Sequence, residues 1–307
     1  MMQIINKRKY TYAISGILVA CSIFLLSIWG LRLGIDFKGG TLMEISFSQE
    51  DSQGNEVTLP SNIQISNSLS EIGLKELVIQ PSENRTFILR YVASDENTNE
   101  KVLEKLKELD ENVSQERVDF IGASVSSQIK KNAFFATILA IIGIALYIAW
   151  AFRKVSQPVH SMEYGVGAIL ALTHDVLITL GIFAVLGKFF EIEVGVSFIA
   201  ALLTILGYSV NDTIVVYDRI RENIIKSSKK INFEDIVNKS LNETLTRSIN
   251  TSLTVVIVLV SIVLFGGESI KYFSIALLVG VIFGTYSSIF VASALLVSSY
   301  EYKKKHK

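Results

Sequence analysis

Six apolar runs, each long enough to cross a lipid bilayer, constrain this chain more than any other feature of its sequence. A transmembrane helix needs about 20 consecutive, mostly apolar residues. Only 19% of the residues are charged, which is fewer than the roughly 25% of soluble domains. We therefore predict an α-helical polytopic membrane protein with six transmembrane helices, at residues 10–29, 133–152, 164–187, 194–217, 248–267 and 272–300.

The first apolar run follows Lys7-Arg8-Lys9, an arrangement that signal peptides share. The run is longer than the apolar region of a signal peptide, and no clear small-residue cleavage site precedes Arg32. We interpret residues 1–31 as a cytoplasmic tail and an uncleaved first transmembrane helix. The spans at 133–300 and a basic tail at 301–307 follow the large loop 32–132.

The distribution of Lys and Arg predicts the orientation, because cytoplasmic loops carry an excess of both. If the N-terminus is inside, the inner segments hold most of these residues, and the short outer loops hold only Lys188 and Lys271. Long loops translocate largely regardless of charge, so we discount the basic residues that flank residues 32–132. Both termini are predicted to be cytoplasmic and the large loop extracytoplasmic.

The large loop is too long for a plain connection and is predicted to fold as an α+β domain. Periodicity and turn residues predict strands and helices in the order β-α-β-β-α-β, which is ferredoxin-like. The domain has no His and no Cys, so we expect a docking or binding role rather than catalysis. The predicted elements are a strand at 41–48, a helix at 63–72, strands at 76–80 and 86–92, a helix at 95–109 and a strand at 113–121.

Three ionisable residues, Asp175, Asp212 and Arg247, lie within the predicted spans or beside them. A charge at the bilayer centre costs about 2.5–3.5 kcal/mol on insertion scales, so each needs an explanation. Asp212 and Arg247 are at compatible depth on consecutive antiparallel helices, and Asp175 is near mid-membrane. Two interpretations remain open. One is a proton or ion relay in which Asp212 changes protonation, and the other is a static buried salt bridge that fixes helix packing.

Polar residues accompany Asp212 and Arg247 at helical spacing, which predicts two polar stripes that face each other in a hydrated or paired seam. We interpret His174 as a packing or hydrogen-bonding residue, because neighbours on a helix point about 100° apart. The stripes are Thr204, Tyr208, Asn211 and Asp212 on one helix, and Arg247, Asn250, Thr251 and Thr254 on the next.

Two further patterns concern packing. Gly280, Gly284 and Ser288 recur at intervals of four, which permits close helix contact, although an incidental run of small residues is an equal alternative. The segment 218–247 is polar, basic and partly amphipathic, which predicts that it lies along the membrane surface.

Several motifs resemble those of the SecF family, the smaller half of the SecDF protein-export factors in the resistance-nodulation-division superfamily. The resemblance covers nearly the whole chain. Its most specific motif is GYSVNDTIVVYDRIREN at 207–223, which contains Asp212. Two stretches depart from the family pattern, AFRKVSQPVHSMEYG at 151–165 and IGASVSSQI at 121–129. The matching motifs are GIDFKGG (34–40), ALTHDV (171–176), GYSVNDTIVVYDRIREN (207–223), SLNETLTRSINTS (240–252), FGGESI (265–270) and GTYSSIF (284–290).

The resemblance implies a non-enzymatic subunit that pairs with SecD in the bacterial cytoplasmic membrane. It also implies association with the SecYEG channel, with SecA and YajC nearby, and use of the proton-motive force to assist late preprotein export. Asp212 and Arg247 match family positions assigned to proton movement, and Asp175 matches another membrane acid. An unfolded preprotein is the expected substrate.

The glycine-rich stretch after the first span has two readings. Gly34, Gly39 and Gly40 permit a sharp turn where the chain leaves the membrane, and Asp36 can cap or pair there. We predict a hinge that couples the outer domain to the membrane helices, with a rigid turn as the alternative.

Other function classes have less support. The net charge is zero, which argues against nucleic acid, and the single Cys21 cannot form an intrachain disulfide or a zinc site of the CxxC type. We find no phosphate loop and expect no ATP hydrolysis, cofactor or metal. A small-solute proton antiporter and a passive scaffold for the translocon remain the competing hypotheses.

Overall fold

The computed structural model describes residues 3–49, 58–82, 85–92, 97–153, 158–227 and 232–306. Positions 1–2, 50–57, 83–84, 93–96, 154–157, 228–231 and 307 lie outside the described residues, and they include part of the predicted hairpin turn and the start of the helix predicted at 95–109. The chain divides into a membrane unit, Met1–Arg32 with Ala133–Lys307, and an outer unit, Leu33–Asn132.

Long helices make up most of the membrane unit, and the short helices and strands of the outer unit lie in sequence between its first two long helices. A 3-10 turn (Ile5–Lys7) precedes the first helix, and a π-helical turn (Ser288–Ala292) separates the last two helices. In chain order the elements are α1 (Arg8–Trp29), α2 (Ile35–Lys38), β1 (Gly40–Ser46), α3 (Asn62–Ser70), β2 (Lys75–Pro81), β3 (Thr86–Val92), α4 (Asn97–Lys107), β4 (Ser114–Ile121), α5 (Ala123–Ala151), α6 (Ser161–Phe189), α7 (Val196–Lys226), α8 (Phe233–Phe265), α9 (Glu268–Ser287) and α10 (Ser293–Lys305).

Six helices of the described chain are long and apolar enough to cross a membrane, which confirms the predicted fold class. Each contains most of one predicted span, and the last span continues from α9 through the π-helical turn into α10. Several helices run well beyond the apolar runs, because polar residues with good helix propensity extend them into water. Helix α8, for example, begins 15 residues before the predicted span at 248–267.

The prediction that residues 218–247 lie along the membrane surface is wrong. Residues 218–226 form the last turns of α7 and residues 233–247 form the first half of α8, and both segments have side chains buried against the rest of the membrane unit. Phe233, Val237 and Leu241 are buried in the core of this unit. The N-terminal turn covers them, and the amide of Ile5 donates to Asn238 Oδ1 at 3.0 Å. The apolar side chains of this segment are therefore covered by protein and not by the membrane surface.

Helices α6, α7 and α9 form the centre of the membrane unit. Half of the residues in the most apolar stretches of α6 and α7 are buried. Their approach depends on small residues of α9. A methyl group at Gly280 would overlap the side chain of Ile205, and one at Gly284 would lie 2.9 Å from Cβ of Ser209. In contrast, α5 has very few buried residues, as expected for a helix that faces lipid or another chain.

The outer unit has the predicted ferredoxin-like topology. Its four strands pair antiparallel in the order β2-β3-β1-β4, and two helices, α3 and α4, supply the rest of its core. Alternate residues of β1, including Met43 and Ile45, are fully buried with Leu69 and Leu106 of the helices. This is the period-2 burial expected of a sheet with one covered face. Helix α3 starts at a capping box formed by Ser61 and Gln64.

Replacing Leu89, which is fully buried in β3, with alanine should destabilise the outer unit by about 2–5 kcal/mol, the usual cost of such a cavity. Hydrogen exchange of the sheet amides in the full chain measures this loss. The control is Val92→Ala at the exposed end of the same strand. Equal effects from both substitutions would mean that Leu89 is not central to the core.

Candidate functional site

Asp212 of α7 is a carboxylate buried between three helices, with 8% of its surface exposed. Ser248 Oγ of α8 donates to its Oδ1 at 2.6 Å. Ser288, at the start of the π-helical turn, donates to its Oδ2. Both oxygens of the carboxyl group are therefore held by hydroxyl groups from neighbouring helices.

Asp175 of α6 is fully buried and has three polar neighbours. Ser209 Oγ of α7 and Ser287 Oγ of α9 donate to its Oδ2, at 2.6 Å and 2.8 Å. His174 Nδ1 lies 2.9 Å from its Oδ1. Sequence neighbours on a helix seldom meet, but here the short Asp side chain and the imidazole bend toward each other in the same buried space.

The local sequence explains why the two acids are so close to the same residues. Ser209 and Asp212 are three residues apart and thus neighbours on one face of α7. Ser287 and Ser288 are adjacent, so their side chains diverge by about 100°. One serine reaches Asp175 on α6, and the other reaches Asp212 on α7. The close approach of Gly284 to Ser209 brings α9 near enough for both contacts.

Neither acid is paired with a basic side chain other than His174 in the described part of the chain. The Nε2 atom of His174 is buried and has no hydrogen-bond partner. Its ring stacks on Tyr286 with 6.0 Å between the centroids. The contact with Asp175 and the stacking on Tyr286 fit the interpretation of His174 as a packing or hydrogen-bonding residue.

The expected pair between Asp212 and Arg247 is absent: among the described residues, Arg247 forms no ion pair, and its side chain is exposed. The reason is helical geometry. Ser248 faces Asp212, and Arg247, one residue earlier, points about 100° away. Its backbone carbonyl accepts from Thr251 Oγ1 at 2.9 Å. A buried Asp212–Arg247 salt bridge is therefore not a feature of this structure.

Most members of the two predicted polar stripes are exposed and do not form a buried, paired seam, while a hydrated seam between them stays a prediction. Asn250, Thr251 and Thr254 are exposed with Arg247 on the outer side of α8, and Thr204 and Asn211 are exposed on α7. Tyr208 is half-buried, and its hydroxyl donates to Ser252 Oγ at 3.2 Å. The polar stripe of α8 that faces inward consists of Thr244, Ser248 and Ser252.

Sequence reasoning missed the hydroxyl groups that hold the acids. Ser209, Ser248 and Ser287 were not singled out, and Ser288 was considered only for packing. A usable signal was present, because Ser248 and Ser252 lie at i and i+4 within SINTS, and the serine pair lies within GTYSSIF. In this structure Gly280 and Gly284 make the close approach of α9 to α7, and Ser288 is a donor to Asp212.

The glycine-rich stretch forms a short ordered turn in the outer unit. Gly34 precedes α2, and Asp36 lies in its first turn. Gly39 and Gly40 have φ values of +79° and +127°, and a side chain at Gly40 would lie 2.6 Å from the carbonyl oxygen of Tyr91. Only glycine suits these two positions. Motion at this turn stays a prediction.

The chemical character of the site is set by two separate carboxyl groups and the hydroxyl groups around them. Within the described ranges, no group of three or more His, Cys, Asp or Glu side chains is placed to hold a metal ion. Two separate carboxyl groups surrounded by hydroxyls can exist in charged or neutral form, because a hydroxyl both donates and accepts.

Comparisons with known proteins agree on one family. The family model described as protein export membrane protein SecD/SecF, C-terminal, matches residues 101–302, and the SecD/SecF GG motif matches residues 24–51. A protein translocase subunit SecF of Thermobaculum terrenum is 42% identical, with 97% of this chain and 94% of the relative covered. The SecF of Haemophilus influenzae is 36% identical, with 96% of this chain and 85% of the relative covered.

Solved structures give the same result. The crystal structure of SecDF, described as a translocon-associated membrane protein, from Thermus has 32% sequence identity and a TM-score of 0.81. It covers 97% of this chain, which spans only 38% of that longer chain. A second SecDF structure, in a form named super-membrane-facing, has 31% identity and a TM-score of 0.68, with 99% and 39% covered. The chain therefore belongs to the SecF family of protein translocase subunits.

Proposed function

We propose that this chain is the SecF subunit of a SecDF complex that uses the proton-motive force to assist late steps of preprotein export. The observation that carries the proposal is the pair of buried carboxyl groups, Asp175 and Asp212, inside a bundle of transmembrane helices. Ionisable residues at such depth are expensive and are usually functional. The process in which the two acids would act is inferred from relatives that are named as protein translocase subunits.

The energies are compatible with a proton-driven cycle. A proton that crosses about 100 mV releases about 2.3 kcal/mol. A hydrogen bond to a charged group contributes about 1.5–3 kcal/mol, so the gain or loss of one serine contact at Asp212 is of the same size. Protonation of Asp212 weakens the contacts with Ser248 and Ser288 that hold α8 and α9 to α7. In this proposal, α8 and α9 then move relative to α7, and this movement is transmitted to the outer unit.

Arg247 has a different role from the one that pairing with Asp212 would give it. It lies on an exposed polar face of the membrane helices together with Asn211, Asn250, Thr251 and Thr254. Polar side chains in transmembrane helices normally face protein or water rather than lipid. We propose that SecD covers this face, which agrees with the longer SecDF chains that this chain matches over 38% of their length.

Arg247→Ala should reduce the amount of SecD that co-purifies with this chain by several-fold, because an unpaired polar surface would replace an interfacial charge contact. The measurement is the SecD-to-SecF ratio after affinity purification in mild detergent. Lys188→Ala, which removes an exposed cation from the end of α6, is the control. Unchanged SecD recovery with Arg247→Ala would place the SecD contact elsewhere.

The membrane orientation and the remaining partners complete the proposal. The Lys and Arg distribution supports cytoplasmic termini and an extracytoplasmic outer unit. The complex associates with SecYEG, SecA and YajC, and the outer unit contacts an unfolded preprotein. Domain limits at 1–31, 32–132, 133–300 and 301–307 follow from this arrangement.

A passive scaffold for the translocon is the second candidate. It is favoured by Asp175, whose three hydrogen-bonding neighbours and complete burial suit a structural carboxylate that fixes the packing of α6, α7 and α9. The two candidates differ in whether protons cross the membrane.

The test measures ion flux in vesicles that hold this chain with its SecD partner. An imposed proton gradient is followed with a pH-sensitive dye, with and without an unfolded polypeptide on the side of the outer unit. We expect proton flux that requires the polypeptide. Na⁺ flux in its place would mean that Na⁺ is the coupling ion. The absence of both fluxes would support the passive-scaffold hypothesis.

A further inference from the structure

The hydroxyl groups of Ser287 and Ser288 each lie between two acceptors. Ser287 Oγ is 2.8 Å from Asp175 Oδ2 and 3.1 Å from the carbonyl oxygen of Gly284. Ser288 Oγ contacts Asp212 Oδ2 and lies 3.0 Å from the carbonyl oxygen of Thr285. In each case the second acceptor is the helix carbonyl three residues earlier. Both hydroxyls are fully buried, so water does not replace either acceptor.

A serine hydroxyl has one hydrogen to donate and lone pairs with which to accept. When the neighbouring acid is charged, the hydrogen points at the carboxylate. When the acid is protonated, its O–H donates to the serine oxygen, and the serine hydrogen points at the helix carbonyl. Every polar group therefore keeps a partner in both protonation states, and no buried group is left unsatisfied, which would cost about 1–3 kcal/mol.

The other two serines at the site have no such choice. Within the described residues, Ser209 Oγ donates only to Asp175, and Ser248 Oγ donates only to Asp212. They stabilise the charged form of each acid. Of the four serines that contact the two acids, the two with this two-acceptor geometry are the adjacent ones where α9 ends and the π-helical turn begins, a kind of turn that is frequent at functional sites.

We propose that Ser287 and Ser288 are positioning residues that allow Asp175 and Asp212 to change protonation inside the membrane, each by turning one hydroxyl hydrogen between the carboxylate and the helix carbonyl. The inference rests on the proposed function, because proton transport is what such a change of protonation would serve. The turning of the hydroxyl hydrogen, which we call the hydroxyl switch, can nevertheless be tested without measuring transport. The incoming proton stays on the carboxyl group, and the serine keeps its own hydrogen throughout.

The test uses dicyclohexylcarbodiimide, an apolar reagent that modifies protonated carboxyl groups within membranes. The full chain, reconstituted with its SecD partner, is labelled over a pH series, and modification of Asp212 is followed by mass spectrometry. In Ser288→Ala both forms of Asp212 lose a partner, but the charged form loses the stronger hydrogen bond, so labelling of Asp212 near neutral pH should increase roughly tenfold, the equivalent of about 1.4 kcal/mol. Ser288→Thr should restore the wild-type profile, because threonine in a helix also bonds to the carbonyl three or four residues earlier.

Ser274→Ala is the matched control, because Ser274 is buried in α9, which leads into the turn of Ser288, and among the described residues its hydroxyl bonds only to the carbonyl of Ile270. It should leave the labelling of Asp212 unchanged. An unchanged profile in Ser288→Ala, or a changed profile in Ser288→Thr as large as in the alanine variant, would overturn the inference. Altered labelling in vesicles that show no proton flux would support the switch and refute the proposed function instead.

Discussion

Asp212→Asn is expected to reduce polypeptide-dependent proton flux by about a hundredfold or more, the usual contribution of a positioned proton-transferring group. Asparagine has nearly the same shape as aspartate, and its amide oxygen can accept from one of Ser248 and Ser288 while its NH2 group donates to the hydroxyl oxygen of the other, so the helices should keep their packing. It cannot take up a proton near neutral pH, and this is the property that the experiment isolates. The measurement is flux in vesicles, with export of a secreted protein as the cellular readout.

Asp218→Asn is the control for this experiment. Asp218 lies less than two turns further along α7, is largely exposed and pairs with Arg221 at 3.5 Å. It carries the same chemistry outside the buried site, so its removal should leave the flux within about twofold of wild type, in line with the small effects of surface ion pairs. Normal export in cells whose only copy carries Asp212→Asn would end the proton-driven hypothesis.

Gly280→Val should destabilise the membrane unit and reduce transport together. The new side chain would overlap Ile205 of α7, and α9 would have to move outward to make room. Overpacking of this kind typically costs about 1–3 kcal/mol. Because Ser287 and Ser288 lie two turns further along, the same displacement would draw both hydroxyls away from Asp175 and Asp212. Thermal unfolding of the purified protein in detergent measures the first effect, and vesicle flux measures the second.

Gly143→Val tests whether the result depends on the close contact. Gly143 is in the middle of α5, and nothing lies within 4 Å of the position that a side chain would take. Both substitutions replace a helical glycine with a β-branched residue, so their local effect on helix propensity is the same. A similar loss of thermal stability in the two variants would show that the α7–α9 contact contributes little.

Most of the fold was predictable from local patterns. The six helices follow from the length and apolarity of the runs, because transfer from water to lipid depends on the composition of each segment and not on its neighbours. The outer unit follows from alternation in β1 and from the order of strands and helices, which leaves few ways to pair four strands. The predicted ends of α8 were less accurate, because hydropathy does not record that polar residues can continue a helix into water.

The candidate site was predictable only in part. Asp175 and Asp212 are visible in the sequence as acids in apolar surroundings, and the small residues Gly280 and Gly284 are visible as a repeat. The partners of the acids are not visible in this way. Ser287 and Ser288 reach two different helices, and no spacing within one helix indicates which neighbour a side chain will meet.

Helix α8 shows most clearly what the sequence by itself determined and what only the tertiary structure decided. The sequence determined that α8 crosses the membrane with polar residues on more than one side. One polar stripe contains Arg247, Asn250 and Thr251, and the other contains Ser248 and Ser252, only about 100° away. Periodicity is the same for both stripes, so it cannot say which one faces Asp212. The packing of α8 against α7 and α9 decides this, because it brings Ser248 to Asp212 and Ser252 to Thr285 and leaves Arg247 exposed.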